Sequence, residues 1–341
     1  MSPAIPSLSA LPRRLAGALR RPLPAVVCAA AALALLAWWL LPLGGAPSPR
    51  GTVTLATGVP TGVYARYGEL LRQDLAHDMP QLDVRLTRSE GSIDNLRQLT
   101  SGRAGFTIAT ADAVAAYRER GERGARSLRA CARLYDDYMQ LVVAEDSPVR
   151  SAKDLRGLRV GVGADGSGVQ LITRRLMAAA GLDFGRDIHP VRVGIDTMPT
   201  LLRRGKLDAF FWSGGLPTAA VQHLEDRFPV RLVQLGDLAA ALHRQGGQSR
   251  YYREAVMPAD AYPRAQRGQG VKTIAVANLL VTTDREDAAL TEAMTRTVIR
   301  SRDAIGEEVH AAQKVDLRTA VFTDPLALHQ GARRYYVSEK P

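Results

Sequence analysis

Three short segments place glycine beside a hydroxyl or amide residue just ahead of an apolar, helix-spaced run. They are Thr57-Gly58 leading to Thr61-Gly62-Val63-Tyr64, Gly91-Ser92 with Asn95 one turn on, and Gly166-Ser167-Gly168. The first turn of a helix exposes N–H groups that have no intrahelical acceptor, together with the positive end of the helix dipole. Glycine lets a ligand approach that backbone and Ser or Thr adds a donor, so each segment is suited to a carboxylate or a phosphate. One such turn is ordinary strand-to-helix capping. Three of them, shared between two similarly patterned halves, read as the walls of a binding cleft.

Little else in the sequence suits covalent chemistry. His77, His189, His223, His243, His310 and His329 are scattered, without metal-ligand spacing. Neither a G-x-S-x-G nucleophile turn nor a G-x-x-x-x-G-K phosphate loop is present. Gly161-Val162-Gly163-Ala164-Asp165-Gly166 has the glycine spacing of a dinucleotide loop. That loop needs a second strand ending in an acid roughly 20 residues on, whereas Asp196 arrives 30 residues after Gly166, and no cofactor is expected. Asp136-Asp137 is an acidic pair, but neighbours on a strand point to opposite faces. A hinge or surface role is expected for it, and no enzyme activity.

The elements that must carry the turns alternate strand and helix from Gly51 onward, the pattern of an α/β protein with a mostly parallel sheet. Strands are expected at 52–57, 83–87 and 105–109, with helices over 63–76, 93–100 and from Asp112, which is read as an N-cap. The second half repeats the design. Strands at 158–162, 191–193, 209–212 and 231–235 alternate with helices over 169–180, 197–204 and from about 218. An irregular polar stretch is expected over 246–270. Two apolar runs, Gln140–Ala144 and Ile274–Val281, flank the second half and read as strands crossing between two lobes.

Of 45 Lys+Arg residues against 34 Asp+Glu, net +11, five Arg and no acid precede Gly51. The rest form no dominant run, so no nucleic-acid partner is expected. A modest positive field over a cleft of helix starts would favour organic anions wherever Arg residues face it. At 46% hydrophobic and 23% charged, the composition excludes disordered, collagen-like and multi-span membrane chains. Cys28 and Cys131 make no disulfide framework.

Ala25–Leu43 is free of charge and follows Arg13, Arg14, Arg20 and Arg21. As a helix it would reach about 28 Å, near the roughly 30 Å of bilayer hydrocarbon, and the arginines place its N-terminal side in the cytoplasm. It reads as a membrane anchor or as a signal peptide cleaved near Gly44-Gly45-Ala46. Either puts the body outside the cytoplasm.

The body resembles the TAXI family, the extracytoplasmic solute-binding subunits of TRAP-type transporters. The likeness lies in TLATGVPTGVY (54–64), SEGSIDNLRQLTSGRAGFTIATAD (89–112), ARLYDD (132–137), DLRGLRVGVGADGSG (154–168) and GKLDAFFWSGGLPTAAV (205–221). It implies a bilobal type II periplasmic-binding-protein-like fold with two crossing strands, beside the N-terminal transmembrane helix. The divisions expected are a cytoplasmic segment 1–24, an anchor or signal 25–43, a linker 44–50, lobe 1 from 51–141 and 272–341, and lobe 2 from 142–271.

The resemblance further implies capture of a small organic anion, such as glutamate, another amino acid or a dicarboxylate. Delivery would be to a TRAP-type permease by a monomeric body, with an anchored ligand sensor as the alternative. Carried over, Gly62, Val63 and Tyr64 form a wall of the first lobe, where Ser92 and Asn95 donate. Ser167 and Gly168 donate from the second lobe, Trp212, Ser213 and Pro217 lie at the cleft, and Tyr135 lies near the crossing. The chain departs from the family in having Asp136-Asp137 for Pro-Glu after the tyrosine and Val169 for Thr after Gly168.

Overall fold

Strand-forming and helix-spaced segments alternate because each strand must bury its faces under the helices that follow it. The computed structural model describes residues 48–340; the proposed anchor lies outside the described residues. Among the described residues no helix is long and apolar enough to cross a membrane.

The first half runs β1 (Gly51–Ala56), α1 (Val63–Asp78), β2 (Leu82–Thr87), α2 (Ser92–Thr100), β3 (Phe106–Thr110) and α3 (Ala111–Glu119). After β4 (Leu128–Ala144) come β5 (Arg159–Gly161), α4 (Gly168–Ala179), β6 (His189–Val191), β7 (Ala209–Gly214), β8 (Val230–Val233), β9 (Tyr252–Met257) and β10 (Val271–Thr283). Helices α5 (Ala288–Arg300) and α6 (Gln330–Ser338), with shorter helices between them, finish the chain.

The ten strands of the described residues join one mixed sheet of order β2-β1-β3-β10-β4-β7-β5-β6, with β8 on β4 and β9 on β10. Strands β1, β2 and β3 are mutually parallel, as are β5, β6 and β7. The long strands β4 and β10 lie antiparallel between the two sets. Tyr67, Leu71, Leu75, Phe106 and Ile108 belong to a buried cluster under the first set, and Val160, Ile172, Leu176 and Phe211 to one under the second.

Two expectations change. The crossing strand begins at Leu128, twelve residues before Gln140, because Arg133, Asp136 and Asp137 interrupt its apolar pattern but are paired rather than turned to solvent. The stretch 246–270, expected to be irregular, contains β9, whose polar residues Arg253 and Glu254 hide a strand that pairs in register with β10.

Candidate functional site

Strand direction decides where the site forms. Thr110 at the end of β3 lies opposite Asn278, Val276 opposite Asp137, and Gly214 at the end of β7 opposite Tyr138. The two parallel sets therefore run toward each other and end at the level of Asp137–Tyr138 on β4. In parallel α/β units the helix starts sit at the strands' C-terminal ends. The starts of α1, α2, α3 and α4 consequently crowd around a single cleft.

That cleft has a void of about 680 Å³ with its mouth included. Gly58, Val59, Gly62, Val63, Tyr64, Gly91, Ser92, Thr110 and Asp112 line it from the first half of the chain, and Asp137 and Val276 from the long strands. Gly163, Ser167, Gly168, Ile172, Ile195, Trp212 and Ser213 close the other side. The first turns of α1 and α2 follow Gly62 and Gly91 and have no side-chain cap.

The halves touch directly. The Asp94 amide donates to the Gly166 carbonyl at 3.2 Å, the Thr61 hydroxyl donates to Asp196, and Ile93, Ala113 and Ala116 pack with Leu171. These contacts bridge the two sides of the cleft.

A polar relay crosses its floor. The Thr110 amide donates to Ser92 Oγ at 3.2 Å, leaving the Ser92 hydroxyl free to donate to the Tyr64 oxygen 3.1 Å away. Tyr64 donates to Asn278 Oδ1, and Asn278 Nδ2 donates to Asp137 Oδ1 at 2.7 Å. Burial pushes the Asp137 carboxyl up to about 7, against the Asn278 hydrogen bond and with help from the charges of Asp112 and Asp136. Burial likewise raises Asp112, opposed by hydrogen bonding around it, and Tyr64, the latter also through Asp137. On the opposite face of β4 burial would raise Asp136, but Arg133 and Arg253 outweigh it and hold that carboxyl below its usual range.

The residues expected from sequence divide into two groups. Gly58, Gly62, Val63, Tyr64, Gly91, Ser92, Ser167, Gly168, Trp212 and Ser213 come together around the cleft. Thr57, Asn95, Tyr135 and Pro217 are not among its lining residues. The Thr57 hydroxyl donates to the Thr87 carbonyl, and Asn95 supports the turn from beneath by donating to the carbonyls of Thr57 and Ile108. Tyr135 is buried against Tyr67, ring centroids 5.5 Å apart. Pro217 belongs to the turn in which Thr218 accepts a hydrogen bond from the Trp212 indole at 2.9 Å.

Three details correct the expected chemistry. Ser167 caps its own helix, donating to the Ala164 carbonyl and accepting from the Gln170 amide. Thr110, not Asp112, is the N-cap of α3, and Asp112 reaches instead to the Tyr252 hydroxyl at 2.8 Å. Among the described residues no Lys or Arg lines the cleft; its charged lining residues are Glu90, Asp112 and Asp137. The expected positive charge is therefore missing from the described lining; Arg88 and Arg192 lie near acids on neighbouring loops, Asp196 and Asp165.

Asp137 and Asn278 escaped the sequence reading as site residues. The available signal was a single amide inside the apolar run Ile274–Val281, since a polar side chain in a buried strand needs a partner.

A sheet with two antiparallel long strands between opposed parallel sets, and a cleft of helix starts where those sets meet, is a mixed α/β, periplasmic-binding-protein-like fold. Residues 55–339 match the NMT1-like family, and the chain belongs to that family.

The fold is similar to that of a protein of Bordetella bronchiseptica RB50, at 18% identity and TM-score 0.50, covering 86% of this chain and 90% of the other. It is also similar to the periplasmic aliphatic sulphonate binding protein SsuA of Escherichia coli, at 16% identity and TM-score 0.48 over 86% and 84% of the two chains. A putative L-cystine ABC transporter of Listeria monocytogenes gives 14% identity and TM-score 0.48 over 78% and 98%.

Proposed function

We propose that this protein is an extracytoplasmic solute-binding protein that closes around one small organic molecule and delivers it to a membrane permease. The observation that carries this reading is the convergence of four helix starts, from both ends of the sheet, on a cleft with a polar floor and apolar walls. Residues 51–141 with 272–341, and residues 142–271, act as lobes hinged on β4 and β10, and the ligand stabilises the closed form by touching both. The uncapped first turns of α1 and α2 offer amides to an acidic or other electron-rich group of the solute. The TAXI resemblance favours a TRAP-type permease as the partner, and the uncharged run Ala25–Leu43 behind four arginines favours an N-terminal anchor as the tether.

Titration calorimetry with amino acids, amines, dicarboxylates and neutral metabolites is expected to find a solute that binds at one site with micromolar or tighter affinity. A flat response to all of them would overturn the reading. Solute uptake by membrane vesicles containing a TRAP-type permease from the same organism, restored by adding this protein, tests the partner.

A further inference from the structure

We propose that the solute carries a protonated amine, received by the carboxylates of Asp112 and Asp137 on the floor of the cleft. This inference rests on the reading of the cleft as a solute site. Asp112 is 1% exposed and Asp137 3% exposed, and both line the cleft.

Asp112 Oδ2 accepts from Tyr252, and the Thr110 hydroxyl and the amides of Asp112 and Ala113 lie close to the carboxylate, but among the described residues none of these reaches Oδ1 at hydrogen-bond geometry. Among the described residues Asp137 has only neutral hydrogen-bond partners, Asn278 and the neighbouring Ser213 hydroxyl. Neither carboxylate has an ion-pair partner among the described residues, whereas Asp136, next in sequence, has two arginines.

A buried carboxylate without a cation is costly, and two at one cavity repel each other. The helix start beneath Asp112 offsets part of this, but Asp137 lies within a strand and receives no such help. A cation brought by the ligand would satisfy both carboxylates and the open Oδ1.

The surroundings favour an organic cation over a metal ion. Hard divalent cations take about six or more oxygen ligands, and among the described residues no group of three or more His, Cys, Asp or Glu side chains could hold one. Val59, Ile172, Ile195, Trp212 and Val276 line the cleft with apolar surface suited to a carbon skeleton. An ammonium group has three N–H donors, enough for both carboxylates and one further acceptor.

The test is titration calorimetry on the full-length protein with L-amino acids, their N-acetyl derivatives, their decarboxylated amines and dicarboxylates. A free amine is expected to bind, and its N-acetyl derivative to lose about 30-fold or more in affinity. Asp112→Asn and Asp137→Asn should weaken the same amine by a similar factor while melting no lower than the parent protein. The N-acetyl comparison uses the unaltered protein and stands even where a variant fails to fold. Binding of both the amino acid and its decarboxylated amine supports a simple ammonium site, and binding of the amino acid alone supports a zwitterion site.

An N-acetyl compound or dicarboxylate that binds as tightly as any amine, or undiminished amine affinity in both variants, overturns the inference and leaves the solute-binding reading standing. Failure of every compound to bind overturns both.

Discussion

Gly91 lies against Ser167 across the cleft, so that a methyl group on Gly91 would stand 3.5 Å from the Ser167 Cα. Gly91 also holds φ 121° and ψ −158°, a conformation that side chains shun. The first turns of α2 and α4 come this close because one of them carries no side chain there.

Gly91→Ala is therefore expected to cost about 1–3 kcal/mol of stability through backbone strain and to weaken ligand binding by loosening closure. Urea unfolding reads the first effect and calorimetry the second. Loss of neither would show that the closed contact is not sensitive to this glycine.

Tyr64→Phe removes the hydroxyl that joins Ser92 to Asn278. Asn278 Oδ1 loses its donor inside the protein, for an expected cost of about 1–3 kcal/mol. Chemical denaturation checks this, and a variant as stable as the parent would mean that water replaces the phenol.

Ser167→Ala should lower stability by about 1 kcal/mol, the usual value of an N-cap, while leaving solute affinity within a few-fold of the parent. The hydroxyl is already engaged with Ala164 and Gln170. A large loss of affinity without loss of stability would assign Ser167 to the ligand instead.

Stability without ligand should fall as pH rises from about 4 to 7. Asp137 holds its proton in the folded state until about pH 7, whereas in the unfolded chain it releases it near pH 4. The folded state thus binds more protons across that window, and stability is full below it and lost through it, by up to a few kcal/mol. Asp112 acts in the same direction. Asp136, paired with Arg133 and Arg253, acts oppositely and only near or below its ordinary range; Tyr64, Tyr135 and Tyr252, also close by, stay neutral because burial raises them well above theirs. Thermal melts at several pH values check the slope, which Asp137→Asn should flatten.

A control lies far from the cleft. A methyl group on Gly331 would stand 2.1 Å from the Ala288 carbonyl oxygen, where α6 crosses α5. Gly331→Ala should destabilise by about 1–3 kcal/mol through overpacking and leave affinity unchanged. Equal affinity at low denaturant, with an earlier unfolding midpoint, is the expected pair of results.

The alternation of strands and helices and the three glycine turns are local properties, governed by residue spacing and by the φ angles and donors that particular residues supply, and they were legible one segment at a time. Gly62, Ser92 and Gly168 were found by that route. Strand β9 was missed because Arg253 and Glu254 mask its period, and Leu128–Gln140 because its charged residues are paired across strands rather than exposed.

The sequence by itself determined the α/β alternation, the turns that begin the helices and the absence of recognisable catalytic motifs, because each depends on neighbours within a few residues. Only the tertiary structure decided that the two parallel sets meet end to end and that Asp112 and Asp137 share one cleft. It also decided that the chain's excess arginines leave the cleft lining acidic. Strand direction and register are set by pairings between residues more than a hundred positions apart, such as Val276 with Asp137, and no local pattern encodes them.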